Sequence, residues 1–286
     1  MSLVRTVVRY GFAPLFFLGF LGAGVALVAA GQSKLWLAGL LAAAIAAAFL
    51  AERIAPYEEI WNENRGDTGR DALHAFVNET SAALSVATVP LIAGFMPASG
   101  LWPDHWPLWV QLSLAIVIAD AGITLAHYAS HRWAPLWRLH AVHHSVTRMY
   151  GFNGLMKHPL HQAVETVAGT APLLLVGLPL DVAALLGFAA AIQVMLQHAN
   201  VDMRVGPLVQ VWAVAPAHRH HHLASATDGD VNFGLFTTLW DRLLGTFVAG
   251  RPTPRDGQVG IAGDPTYPAG YVAQLMAPFR HRDVGT

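Results

Sequence analysis

The chain has 286 residues, 54% of them hydrophobic and only 12% charged, with a net charge of -1. Soluble proteins carry about 25% charged residues, so this composition reads as a membrane protein, and the near-neutral balance excludes the concentrated basic face that nucleic-acid binding needs. Cysteine is absent, which excludes disulfides, iron–sulfur clusters, thiolate-ligated haem and cysteine nucleophiles.

In chain order, Phe12 to Ala30 and Leu35 to Ala51 carry no charge, and each has about the 17–25 residues needed to cross a bilayer core. The Gly31-Gln32-Ser33-Lys34 link between them allows only a turn, so the pair reads as a helical hairpin. Arg5 and Arg9 before an apolar run also fit a signal peptide, but a second apolar segment follows at once. Ala75 to Phe95 is a third candidate span, interrupted by Asn78 and Glu79, and Leu108 to Ala126 a fourth, after a loop from Pro97 to Pro107. Thr166 to Leu180 and Val182 to Leu196 are shorter and meet at Gly177-Leu178-Pro179. They fit either tilted spans or a re-entrant hairpin; in both cases the chain returns to the side it left.

With these spans, of the seventeen Lys and Arg residues only Lys34 falls on the far side. Basic loops stay in the cytoplasm, so the N-terminus, Glu52–Asp71, His127–Glu165 and everything after His198 are expected there. Ala-rich helices and short loops read as a bacterial inner-membrane protein. The expected organisation is an N-terminal hairpin and interfacial loop over 1–72, a core over 73–250 and a loosely structured tail over 251–286. The fold class is an all-α, multi-pass transmembrane bundle with a histidine-rich cytoplasmic cap.

Histidine is in excess: there are fifteen, twelve of them between His127 and His222. Asp120, Thr124, His127 and His131 share one helical face. Two imidazoles one turn apart can grip a metal, and a carboxylate behind them can orient a ring by accepting its second N–H. A lone HxxxH also fits an interfacial helix with solvated histidines, whereas a carboxylate within a span is costly and usually functional. The frame HxxHH then occurs twice, as His140, His143, His144 and as His218, His221, His222, with His220 an extra member expected to be solvated. Eight convergent imidazoles exceed the four ligands of one structural zinc and imply two metals. Without thiolates the donors suit iron, zinc, copper(II) or nickel. A bis-histidine haem wants single histidines on facing helices inside the apolar zone, so it fits poorly.

The order HxxxH, HxxHH, HxxHH resembles the fatty acid hydroxylase superfamily of sterol desaturase-like membrane di-iron oxygenases. The likeness runs from about Asp120 to Phe247. It includes Trp137-Arg138-Leu139-His140, Lys157-His158-Pro159-Leu160, Gln197-His198-Ala199-Asn200, Asn232-Phe233-Gly234 and the stretch Trp240–Phe247. Pro56-Tyr57 with Trp61-Asn62 is a weaker upstream likeness.

The resemblance implies a four-span bundle, two iron ions (zinc being able to replace them in purified protein), O2 as co-substrate, a lipid substrate and a separate electron-transfer protein. By motif it implies the ligands His127, His131, His140, His143, His144, His218, His221 and His222, with His198 and His158 as two more. Asp120 is implied behind the ligands, and His161 stands where relatives commonly carry a carboxylate, which points to a supporting role. His74, His105 and His281 lie outside the constellation. Hydroxylation of a C–H bond is the expected reaction, with desaturation or methyl oxidation the alternative within the family. A membrane metal transporter would spread its ligands along a path through the spans, and a non-catalytic interaction protein would not need intact boxes.

Overall fold

The structure is a computed structural model and describes residues 2–95, 100–262 and 266–280, so His281 lies outside the described residues. It is all-helical apart from isolated bridges. The helices are α1 (Leu3–Ala29), α2 (Leu35–Ile54), α3 (Thr68–Ala87), α4 (Val89–Phe95), α5 (Leu108–Arg132), α6 (Ala134–His144), α7 (Gly151–Leu155), α8 (Pro159–Leu175), α9 (Leu180–His198), α10 (Ala215–His218), α11 (Ala226–Gly229), α12 (Leu239–Leu244) and α13 (Tyr271–Met276). Among the described residues, five segments are long and apolar enough to cross a membrane: α1, α2, α3 with α4, α5 and α9. The protein is an integral membrane protein with one more candidate span than the four implied by resemblance.

Helix α1 begins well before the expected Phe12, because Ser2 Oγ accepts the Arg5 N–H and caps it. Arg5 and Arg9 then sit on the first turns, where long side chains reach the interface while the backbone stays helical. Asn78 and Glu79 do not break α3 either. Asn78 Nδ2 donates to the carbonyls of Leu155 and Lys157, so its polar group is satisfied by a neighbouring segment. The break comes later, between α3 and α4, where Pro90 lacks the N–H that would continue the ladder.

Helix α9 is the axis of the bundle. Its most apolar window is 78% buried, against 17–33% for the other four candidates, so those four face the surroundings and α9 faces protein. This is why α9 is apolar on every side, as an enclosed helix must be. Helix α8 has 17 residues and lies along α5. Together α8 and α9 form a hairpin whose turn lies on the side opposite the histidines. Two ion pairs fix this arrangement. Lys34 meets Asp181 at 2.6 Å, joining the α1–α2 turn to the α8–α9 turn. Arg9 meets Asp202 at 2.6 Å, joining the start of α1 to the segment after α9. Exposed Trp109 and Trp133 near the two ends of α5 lie about 36 Å apart at 1.5 Å per residue, the span between two aromatic belts.

The described residues after 250 pack against the cap instead of trailing loosely. Trp61 Nε1 donates to Asp256 at 2.9 Å, Tyr57 OH meets Thr253 Oγ1, and Gln274 is fully buried with its Oε1 2.9 Å from His74 Nε2. Gly and Pro in this stretch shape turns that follow the cap's surface, an outcome that composition alone does not disclose.

Helices α5 and α8 approach each other closely. A Cβ on Gly122 would lie 2.0 Å from the carbonyl oxygen of Ala168, and that backbone has nowhere to move. Small residues let membrane helices meet this closely. Gly122→Ala is therefore expected to destabilise the protein by more than the ~1–3 kcal/mol usual for overpacking. Gly19→Ala, with open space around it, should be neutral or mildly stabilising. Thermal melting in detergent checks the contrast, and equal melting temperatures would contradict the packing.

Candidate metal centre

Among the described residues, nine histidines gather into two adjoining groups. His127, His131, His140, His144 and His221 form one; His143, His198, His218 and His222 form the other, and within each the ligand atoms lie within 4.8 Å of one another. Helix α5 supplies His127 and His131 from its last turns, α6 ends on the second box, and α9 ends on His198. Three helices thus deliver their C-termini to one point, where the exposed carbonyl ends favour positive charge.

The two HxxHH boxes split in a complementary way. In the first, His140 and His144 enter one group and His143 the other; in the second, His218 and His222 share a group and His221 crosses over. On a helix i and i+4 nearly eclipse, while i+3 is displaced to the other side of the stripe. The first box, on α6, therefore offers a pair to one centre and a single ring to its neighbour, and the second makes the same division from the turn that follows α10. The groups touch through the stacked rings of His144 and His222, 4.7 Å between centroids.

The inward nitrogens are turned toward one another. His127 Nδ1 lies 2.8 Å from the Phe233 carbonyl, and His221 Nδ1 lies 2.9 Å from that of Val231. A carbonyl cannot donate, so both Nδ1 atoms carry the proton and both Nε2 atoms present lone pairs. Those two Nε2 atoms stand 2.9 Å apart. The same holds in the second group for His143, with Nδ1 on Met156 O, and His198, with Nδ1 on Val194 O, whose Nε2 atoms are 3.3 Å apart. Lone pairs at this range repel unless a positive ion lies between them.

The spacing also fits a metal. The Nε2 atoms of His127, His140, His144 and His221 form a ring with edges of 2.9, 3.0, 3.0 and 2.9 Å. The centre of a square of that edge is about 2.1 Å from each corner, the length of an imidazole–metal bond. His131 adds a buried Nε2 without a protein hydrogen bond. Burial pushes the imidazoles of His140, His143, His144, His218, His221 and His222 well below the ordinary histidine range, with mutual repulsion adding to it. They stay neutral, as metal ligands must.

Of the remaining sequence candidates, Asp120 does not reach an imidazole. Its Oδ1 accepts the N–H groups of Leu235 and Phe236, and its Oδ2 accepts those of Thr237 backbone and hydroxyl, all at 2.7–3.0 Å. Asp241 holds the preceding residues in the same way, accepting from Phe233 and Gly234. Gln197 Nε2 donates to Gly234 O at 2.8 Å. These side chains fasten the 233–237 loop whose Phe233 carbonyl orients His127.

His161 is fully buried, with Nε2 2.9 Å from Ser130 Oγ and its ring 4.4 Å from that of His140. His158 stands apart from both groups. Its Nδ1 accepts the Leu160 N–H and caps α8, and its Nε2 lies 3.1 Å from Leu275 O. His220 is buried rather than solvated, yet also lies outside both groups. Glu52, unremarked in the sequence, is buried at the end of α2, and its Oε1 accepts from Gly151 N and Asn200 N, tying the hairpin to the cap. A carboxylate closing an apolar run was the only available signal for it.

Residues 112–246 match the family model described as Fatty acid hydroxylase. The chain is 36% identical to Ornithine lipid hydroxylase OlsE of Rhizobium tropici over 87% of its own length and 77% of that protein. It belongs to the fatty acid hydroxylase family. More distant members include Alkylglycerol monooxygenase of Danio rerio, 28% identical over 51% of this chain and 31% of that protein. Delta(7)-sterol 5(6)-desaturase of Candida glabrata is 30% identical over 51% and 39% respectively. No solved structure matches the chain significantly. As a member of this family the protein is a membrane oxidoreductase, and its two histidine groups are able to bind metal.

Two outcomes follow from the geometry. Asp120→Asn weakens the anchor of the loop behind His127, and loss of such an outer contact typically costs about ten- to a hundredfold in metal affinity. Metal retention against a chelator measures it, with helical content by circular dichroism as the control. Second, the cap imidazoles have folded-state pKa values below their unfolded value of about 6.5. They add stability above that pH, and it is lost as pH falls below it, because the unfolded chain takes up protons first. Metal-free protein should therefore melt at lower temperature at pH 5.5 than at pH 7.5; a flat profile would contradict neutral buried imidazoles.

Proposed function

We propose that this protein hydroxylates a C–H bond of an amine-bearing lipid, using O2 and two irons held by nine histidines at the cytoplasmic face of a bacterial inner membrane. The observation that carries the reading is the pair of lone-pair-lined histidine groups; the similarity to an ornithine lipid hydroxylase over most of both chains supports the substrate class. Bound iron would supply O2 activation and hydrogen abstraction.

The chain's own residues hold the site ready. Backbone carbonyls of Phe233, Val231, Met156 and Val194 keep the Nδ1 protons of His127, His221, His143 and His198 turned away from the centre. Burial excludes water, so side reactions with solvent are limited. Asp120 and Asp241 hold the 233–237 loop, and His161 packs its ring against His140. His158 on this reading is the α8 cap, not a ligand. Insertion of one oxygen atom leaves the other to become water, which takes two electrons and two protons. A separate redox protein supplies the electrons. Orientation follows from basic residues concentrated on the histidine side of the spans.

The crossing of the boxes gives a sharp test. His143 and His221 belong to different groups, so His143→Ala and His221→Ala should each lower bound iron from about two per chain toward one and abolish turnover. A chromosomal deletion should remove a lipid species heavier by one oxygen. Full turnover in either variant, or an unchanged aerobic lipid profile in the deletion strain, would overturn the proposal.

A further inference from the structure

A cavity of about 300 Å³ reaches to within one helical turn of the histidine groups. It is a cleft between α3–α4 and α8, backed by α5 and α9. Ile123 and Val194 line it, one helical turn before His127 and His198. Gly154 completes this end, where a Cβ would come within 2.9 Å of His198 Nδ1. Farther away the wall is mostly apolar, with Val86, Ile92, Leu174 and Leu178. Apolar Val167 and Ile92 are exposed at the cleft's flanks, as an opening toward acyl chains requires.

The polar end does not balance its charge. Three charged side chains line the cavity: Glu79, Lys157 and Glu165. Lys157 Nζ is bonded to Glu165 Oε2, and both side chains are nearly buried, at 12% and 5% exposure. Glu79 makes no ion pair within 4.0 Å and no side-chain hydrogen bond among the described residues. Two carboxylates therefore share one ammonium in an apolar cleft. Glu79 is half-buried, and a charge left without a partner in an apolar cleft is costly; a cation entering the cleft would relieve that cost. Asn78, the residue before Glu79, bonds to the Leu155 and Lys157 carbonyls, so this part of α3 is held in register with the polar end.

We propose that Glu79 is the specificity-determining residue that receives the ammonium of the lipid substrate in this cavity, with the acyl part lying along the apolar wall. This rests on the amine-bearing-lipid reading above and adds the residue that recognises it. A neutral head leaves the half-buried Glu79 unpaired, and an anionic head meets it with like charge. Discrimination thus comes from the cost of the wrong ligand as much as from attraction to the right one.

The test uses the full-length, iron-loaded protein in nanodiscs. Binding is measured by competition for an ornithine-headed lipid with a free amine and for its N-acetylated analogue. Wild type should prefer the free amine by at least about tenfold, the scale of one charge-assisted contact. Glu79→Gln, close in shape, should erase that preference with iron content unchanged; Glu79→Asp should keep part of it. Equal binding of the two lipids by wild type, or an undiminished preference in Glu79→Gln, would overturn the assignment. Preferential binding by wild type without hydroxylation would leave Glu79 in its role and overturn the substrate reading of the preceding subsection.

Discussion

Imidazole lone pairs aimed at one another in a buried space are the constraint on which this structure turns. Nine rings are brought together, and the inward Nε2 atoms of at least four of them, His127, His221, His143 and His198, present lone pairs to their neighbours. Such an arrangement is unfavourable for the chain alone and becomes favourable only with cations between the rings. The rest of the cap works against that repulsion. Four backbone carbonyls fix the Nδ1 protons outward, and two aspartates hold the loop that carries one of those carbonyls. Here the carboxylates act through peptide N–H groups and not directly on the rings.

The transmembrane architecture serves the same end. A helix that terminates at the centre presents both its last side chains and its negative dipole end. α5, α6 and α9 all do so. Bringing α9 there requires α8 to enter the bilayer region and α9 to return, which explains a hairpin with one short member. It also accounts for α9 being the most enclosed of the five candidate spans, with α5 and α10 packed against it. Gly122 and the Ala168 carbonyl show how tightly α5 and α8 are drawn together.

The cleft beside the centre has a comparable logic. Its apolar walls are continuous with helices that face lipid, while its polar end sits one turn from the ligands. An amphiphile arriving from the bilayer would meet the apolar part without being dehydrated anew and find charge only at the end near the histidine groups. Lys157 and Glu165 offset each other, so Glu79 sets the sign of the cavity.

Much of this was legible in the sequence because it depends on local periodicity and composition. Uncharged runs of bilayer length, the single lysine on the far side and the HxxxH and HxxHH spacings are properties of consecutive residues, and they marked the spans, the common face and eight of the gathered histidines. What the spacing left open is which ring goes to which centre, since that depends on how α6 and the turn after α10 face each other. His158 and Asp120 show the same limit. Their neighbourhoods in sequence look like a ligand and its orienting carboxylate, yet His158 is turned onto the α8 N-terminus and Leu275, and Asp120 onto a loop more than a hundred residues away. Glu79 interrupted an apolar run, and only the packing of α3 against α8 turned that interruption into the unmatched charge of a cavity. The sequence by itself determined which groups are available near the membrane face; the tertiary structure decided their partners, because hydrogen bonds and ion pairs between distant segments exist only once the helices have packed.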